Sequence, residues 1–257
     1  MKDTRARIER LRRINAHFQQ LDLTLEDESL YKVKPGQSFL ARPIDSGGEL
    51  SLSWHPYLRE RWWAYAGAQG RLTVELPTNP SYHPGDLVTL LGPIGEPYKY
   101  VPNIHSILLI AYDAPPIPLA VMIPSLIRNQ VNTTLVLLGQ AQRYDTAQLD
   151  PLVEVHRGDR DLAWEGALHD LSQAHQIFAV VPQDDELLRF RELVEGLQRY
   201  RDAQFPFGPR TLFGVMQAPL PCGVGACDAC LVRLKENGEL KRACLAGPAF
   251  DLTTLKL

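Results

Sequence analysis

The first 221 residues of the chain contain no cysteine, although the whole chain has four. Disulfide frameworks are typical of small secreted domains with cysteines spread along their length, and this chain has 257 residues. The confinement of the thiols to one end therefore argues against a disulfide scaffold. In a reducing compartment, four clustered thiols indicate a metal site.

Long apolar runs and a strong charge bias are also lacking. No apolar stretch approaches the roughly 20 residues that span a bilayer, and Met1–Arg5 is basic without the apolar core of a secretory signal. The formal net charge of −3 gives no indication of a nucleic-acid or membrane-surface partner. The histidines lack paired metal spacing, and no catalytic motif is found. We therefore expect a cytoplasmic protein that binds neither nucleic acid nor membranes.

The first hundred residues have the pattern of a small antiparallel β-barrel. Short alternating segments are separated by turns containing proline and glycine, which is typical of such barrels. The predicted strands are Phe18–Leu25, Ser38–Ala41, Arg71–Leu76 and Asp86–Leu91. Before them, Ile8, Leu11 and Ile14 have near-helical spacing, so periodicity alone favours a helix there.

From about Pro102 the pattern changes to alternating strands and helices, which predicts a mostly parallel sheet. The fold class is thus α+β multidomain: an N-terminal antiparallel β-barrel at residues 1–102, a central α/β nucleotide-binding-like domain at 103–211, and a C-terminal cluster-binding module at 212–257. The predicted strands are Ser106–Ala111, Thr133–Leu138 and Gln176–Val181, and the predicted helices are Ile117–Asn129 and Asp184–Arg201.

The cysteines follow the pattern C-x4-C-x2-C-x13-C, at Cys222, Cys227, Cys230 and Cys244. The first three have the spacing of the plant-type ferredoxin loop, in which thiolates hold a [2Fe–2S] cluster. Gly223 and Gly225 permit the positive φ angles that a loop wrapping a cluster requires. Asn237-Gly238 predicts a hairpin turn that returns Cys244 towards Cys230.

Other interpretations of the four thiols remain open. A structural zinc site usually has paired C-x2-C knuckles, and only one such pair is present. Buried or redox-labile thiols without a metal are a further alternative. The spacing favours a [2Fe–2S] cluster over both.

The chain resembles the electron-transfer subunit of class B dihydroorotate dehydrogenase, a member of the ferredoxin reductase-like proteins. The resemblance is closest over Pro221–Asp251 and extends to Ala6–Thr24, Lys34–Gln37, Tyr57–Arg59 and Leu90–Gly95. It implies a flavin-binding barrel, a nucleotide-binding α/β domain and a [2Fe–2S] module. It also implies that residues 5–25 form two strands, against the helix-like spacing.

The resemblance implies a flavin site at which the chain departs from the family. The family motif has an arginine on the flavin phosphates and a serine near the ring, whereas this chain has Arg61-Trp62-Trp63-Ala64. The tryptophans stack on a flavin, or one packs in the barrel while the other faces a partner or the second domain. The family's glycine-rich phosphate loop corresponds to residues 77–83, which contain no glycine.

The nicotinamide motifs are altered in the same way. The family's glycine-rich turn corresponds to Tyr112–Pro118, which has three prolines and no glycine, and its Cys-Gly-Pro corresponds to Val181-Pro182-Gln183. These departures disfavour NAD and weaken the case for FAD.

The function expected from these observations is that of a [2Fe–2S] electron-transfer subunit rather than a catalyst on its own. By resemblance its partner is a flavin-containing redox subunit, first of all the catalytic subunit of dihydroorotate dehydrogenase, in pyrimidine biosynthesis. Two alternatives stay open: an FAD- and [2Fe–2S]-dependent NADH oxidoreductase, and a non-redox scaffold with a structural zinc.

Overall fold

The computed structural model describes residues 1–44, 59–65, 70–200 and 207–257. Tyr57 and Leu58 lie outside the described residues. The chain divides into two compact units. The first comprises Met1–Tyr98, Pro219–Cys230 and Cys244–Ala246, and the second comprises Lys99–Ala218, Leu231–Ala243 and Gly247–Leu257. Among the described residues, no helix is long and apolar enough to cross a membrane.

The first unit contains a closed antiparallel barrel, which confirms the fold predicted for the N-terminal part. Its six strands hydrogen bond in the order β1-β2-β5-β4-β3-β6. They are β1 (Lys2–Arg13), β2 (Phe18–Leu25), β3 (Ser38–Ile44), β4 (Glu60–Ala64), β5 (Leu72–Pro77) and β6 (Leu87–Ile94).

The helix that periodicity favours near the N-terminus is wrong, because residues 2–13 form a strand. Thr4, Ala6 and Ile8 alternate towards the interior, as expected for a strand. The pairing of β1 with β2 then shifts between Ile8 and Arg10. This irregularity adds one residue and changes the phase of the alternation, so Leu11 is the next partly buried apolar side chain. The helix-like spacing therefore has its origin in a β-bulge.

Inward side chains from all six strands fill the barrel. Trp62 is 1% exposed and belongs to this core, where its ring meets Tyr82 edge-to-face at 5.6 Å. Because successive strand residues alternate between faces, Arg61 and Trp63 lie on the opposite face of β4 from Trp62 and Ala64. The Arg61 guanidinium stacks on the Trp63 ring at 4.0 Å.

The second unit contains a six-stranded sheet in the order β14-β11-β10-β7-β8-β9, parallel except for β14. This confirms the predicted α/β architecture. The strands are β7 (Ser106–Tyr112), β8 (Asn132–Leu138), β9 (Glu154–Gly158), β10 (Gln176–Val180), β11 (Leu212–Val215) and β14 (Ala249–Asp251). A separate hairpin pairs β12 (Leu231–Arg233) with β13 (Leu240–Arg242).

The helix predicted at 117–129 is interrupted, which corrects that prediction. It forms two pieces, α1 (Ile117–Ala120) and α2 (Ile123–Arg128). Pro124 has no N–H, and a proline ring clashes with the carbonyl four residues earlier, so a helix cannot run through this position undisturbed. The other helices are α3 (Ala167–Gln173), α4 (Glu186–Gln198) and α5 (Ala243–Ala246).

Candidate metal centre

All four cysteines lie in the first unit, together with the barrel. Cys222, Cys227 and Cys230 are on one loop, and Cys244 is in α5, directly after β13. Leu231 pairs with Arg242 across the hairpin, so its two ends are adjacent. The Cys244 N–H consequently points at the Cys230 sulfur, with N and Sγ 3.5 Å apart. The predicted hairpin thus returns the fourth cysteine to the third.

Backbone N–H groups surround the Cys222 sulfur. The amides of Val224 and Ala226 donate to it at 3.5 and 3.4 Å. Burial opposes ionisation, but these N–H groups and Cys227 outweigh it and lower the pKa of Cys222 to about 6. Since the thiolate is the metal-binding form, the loop favours the ionised ligand here.

Cys244 has the opposite environment. Burial, followed by the hydrogen bond and charge of Cys230, raises the pKa of Cys244 to about 11. The Gly225 N–H acts against this rise by donating to the sulfur. Two neighbouring thiolates repel each other without a cation, and a bound metal centre removes that repulsion.

The four thiols interact with one another. Cys222 interacts with Cys227, Cys230 interacts with Cys244, and the charge of Cys222 also acts on Cys244. Within residues 1–44, 59–65, 70–200 and 207–257, no three cysteine, histidine or acidic side chains are placed to hold a single metal ion. A structural zinc needs four ligands about one ion, whereas a [2Fe–2S] cluster has two irons that share four cysteines. Four cysteine donors, with no three of them placed about one ion, fit the two-iron cluster better than zinc.

The cysteine loop packs against the barrel at Gly223. Its φ is +63°, and a Cβ there would lie 2.7 Å from Ile94 Cδ1 and 2.8 Å from Leu40 Cδ1. Gly225 also has a positive φ, of 75°. Gly223 therefore meets two requirements, a left-handed backbone and close approach to the barrel.

We expect Gly223→Ala to accelerate cluster loss. A non-glycine residue loses about 1–2 kcal/mol of conformational free energy in the left-handed region. This loss makes the population of chains whose loop has left the barrel roughly 5–30-fold larger. The measurement is the rate at which an iron chelator bleaches the visible absorption. Gly238→Ala is the matched control, because φ is +67° and nothing lies within 4 Å of its Cβ position. Equal rates in the two variants would contradict a specific role of the loop contact.

The three residues proposed for a flavin lie on different faces of β4. Trp62 is in the barrel core, where its Nε1 donates to Glu60 Oε2 at 3.3 Å. Arg61 donates through Nε to Ser38 Oγ at 3.0 Å and stacks on Trp63. The core position of Trp62 leaves Arg61 and Trp63 as the flavin-site residues to be tested.

A cavity of about 330 Å³ lies beside Arg61. Thr78, the residue directly after β5, contributes a buried hydroxyl without a hydrogen-bond partner in the described part of the chain. Glu60 also lines the cavity, and its carboxylate accepts from Trp62 and from the Tyr82 hydroxyl. The other lining residues are Trp62, Leu76, Pro77, Asn79 and Pro80, and Trp63 is not among them. Sequence reasoning missed Thr78, whose only signal is its place in the segment aligned with the family's phosphate loop.

Comparison with known proteins identifies the cysteine segment. Residues 219–256 match the iron–sulfur cluster binding domain of dihydroorotate dehydrogenase B. The match includes all four cysteines and confirms the iron–sulfur prediction. A curated relative is the electron transfer subunit of dihydroorotate dehydrogenase B (NAD(+)) from Desulforamulus reducens, 25% identical over 177 residues. That alignment covers 65% of this chain and 64% of the relative, so it spans less than two thirds of that subunit.

Solved structures have the same fold as the described parts of both units. An NADH-dependent reduced ferredoxin-NADP oxidoreductase superposes with a TM-score of 0.69 at 18% identity, covering 97% of this chain and 89% of that one. The ferredoxin reductase of carbazole 1,9a-dioxygenase gives a TM-score of 0.53 at 14% identity, covering 77% and 65%. The fold is therefore ferredoxin reductase-like, and a 177-residue stretch of the chain is similar to an electron transfer subunit of dihydroorotate dehydrogenase B.

Proposed function

We propose that the chain is an electron carrier that holds a [2Fe–2S] cluster on Cys222, Cys227, Cys230 and Cys244 and serves a partner redox enzyme. The observation that carries this proposal is a set of four thiols, three on one loop and the fourth in α5, with backbone N–H groups that point at the sulfurs of Cys222 and Cys230. When bound, the cluster supplies reversible one-electron redox chemistry. The protein contributes the thiolates, and its N–H groups stabilise their negative charge.

The exposure of the loop supports exchange with a protein partner. Cys227 is exposed, whereas Cys230 and Cys244 are buried. Val224, between Cys222 and Cys227, and Leu245, directly after Cys244, are 44% and 50% exposed. Apolar side chains at an accessible end of the site suit a transient contact with a redox protein. By homology the first candidate is the flavin-containing catalytic subunit of dihydroorotate dehydrogenase, which would place the chain in pyrimidine biosynthesis.

The test is the visible spectrum of the anaerobically purified chain, with iron, sulfide, zinc and flavin assayed on the same sample. We expect about two iron and two sulfide per chain, and absorption that dithionite bleaches and reoxidation restores. A colourless protein that contains zinc would refute the proposal.

A second candidate function is FAD binding at the cavity beside Arg61. Its specific support is the combination of that guanidinium with the unpaired Thr78 hydroxyl, two groups that suit a phosphate. Trp63 lies on the same side of β4 as Arg61, whose guanidinium stacks on its buried ring. We expect Arg61→Gln to lower the flavin content of the purified protein if FAD is bound there, with Arg71→Gln, an exposed arginine in the same unit, as control. Flavin-free wild-type protein would reject this candidate.

A further inference from the structure

The carboxyl edge of the parallel sheet is where proteins of this architecture bind dinucleotides. The chain leaves β7 towards β8 on one side, and it leaves β10 towards β11 on the other. Such a switch point opens a crevice for ligands at the carboxyl ends of the strands. A pyrophosphate bound there needs backbone N–H groups, usually at the start of a helix.

The segment after β7 has few N–H groups to offer. Three of the residues between Asp113 and Leu119 are prolines, namely Pro115, Pro116 and Pro118. Each lacks an N–H, and α1, which follows, has only four residues and no side-chain cap. The first helix after β7 is therefore unable to present the row of amides on which an anion would sit.

The carboxylate of Asp113, directly after β7, accepts hydrogen bonds from the segments that follow β8 and β9. Its Oδ1 accepts from the Gln140 N–H at 2.8 Å and from Arg160 Nε at 3.0 Å. The Asp113 side chain is only 8% exposed. Gly139, which precedes Gln140, has a φ of +59°, and a Cβ there would collide with the Asp113 carboxylate. The carboxylate thus occupies the space beside the end of β8.

A second carboxylate acts in the same way beyond β10. Glu186, the buried first residue of α4, accepts the backbone N–H of Gln217 just after β11. The Gln217 side chain donates to the Val181 carbonyl at 2.8 Å, directly after β10. Asp184 and Asp185 add two exposed negative charges to the same loop. An entering phosphate would meet carboxylates where it requires amides.

We infer that this sheet edge is closed to nicotinamide dinucleotides by the chain's own carboxylates, and that both the electron donor and the electron acceptor of the chain are proteins. The inference rests on the proposed function. Electrons would be transferred one at a time. A reduced redox protein loses one electron as the cluster gains it, and an oxidised redox protein later accepts that electron from the cluster. No hydride is transferred at the second unit.

The test is a titration of the full chain, with its cluster, with NADH and NADPH. By calorimetry we expect no saturable binding at nucleotide concentrations up to about 1 mM. A dissociation constant of that size corresponds to a binding free energy of only ~4 kcal/mol. Under anaerobic conditions, dithionite should bleach the visible absorption while a tenfold excess of NADH leaves it unchanged. Saturable NADH binding that shifts the amide resonances of Gln140 and Gln217, or bleaching by NADH, would overturn the inference.

The two proposals fail in different ways. A chain without reducible iron refutes the electron carrier, yet its NADH titration still tests the closed edge. A chain reduced by NADH keeps the carrier function and refutes the closed edge. Asp113→Ala adds a separate readout, because it removes the acceptor of the Gln140 N–H. We expect the hydrogen exchange of the Gln140 amide to become at least tenfold faster, while that of the Gln217 amide stays unchanged. Equal exchange of the Gln140 amide in the variant and the wild type would show that the Asp113 carboxylate does not bind this N–H.

Discussion

Replacing Cys230 by serine is expected to abolish the visible charge-transfer absorption and reduce bound iron from about two per chain to near zero. Cys230 is 3% exposed and accepts the Cys244 N–H, so its loss leaves one pair of thiols incomplete at a site that water enters poorly. The measurement is iron and sulfide per chain after anaerobic purification, together with the absorption spectrum. Circular dichroism checks that the barrel and the sheet are still folded.

The matched control for Cys230→Ser is Asp228→Asn, two residues earlier in the same loop. Asp228 is exposed and has a φ of +55°, a conformation that asparagine tolerates. We expect full iron content in this variant. A serine variant that retains two iron atoms would show that Cys230 is not a ligand.

The second large effect is expected from Trp62→Ala, which should lower the free energy of unfolding of the barrel by about 3–5 kcal/mol. The side chain is 1% exposed, packs edge-to-face on Tyr82 and donates to Glu60, so the substitution removes contacts, leaves a cavity and deprives a carboxylate of one donor. The measurement is urea unfolding followed by far-ultraviolet circular dichroism.

Two further variants separate the causes of this loss. Trp62→Phe keeps most of the ring volume but removes the Nε1 donor, and we expect an intermediate loss of stability. Leu245→Ala, at a side chain that is 50% exposed in the same unit, should change stability by less than about 0.5 kcal/mol. A loss below about 1 kcal/mol for Trp62→Ala would contradict its place in the core.

The cysteine site was predictable because its information is local. Four thiols at ferredoxin-like spacing, glycines between them and an Asn-Gly turn before the last ligand define the loop and the hairpin within a short segment. The barrel and the parallel sheet were predictable for a related reason, since the period of apolar residues reports whether one face or both faces of a strand are buried.

Other features depend on contacts between distant residues and have no local signal. The β-bulge after Ile8 mimics helical spacing, and only pairing with β2 reveals it. The separation of Trp62 from Trp63 requires knowledge of which face of β4 is enclosed. The altered turn at Tyr112–Pro118 was recognisable from its prolines and its lack of glycine, but the contacts of Asp113 with Gln140 and Arg160 join three separate connections of the sheet.

The joining of Pro219–Cys230 and Cys244–Ala246 to the barrel has a consequence for synthesis of the protein. Chains fold from the N-terminus as they leave the ribosome. All six barrel strands precede the five parallel strands of the second sheet, and these precede the cysteines, whereas β14 follows them. The barrel can close before the cysteine loop is synthesised, and until then Leu40 and Ile94 lack their contact with Gly223. The cluster site is therefore complete only after all six barrel strands have been synthesised.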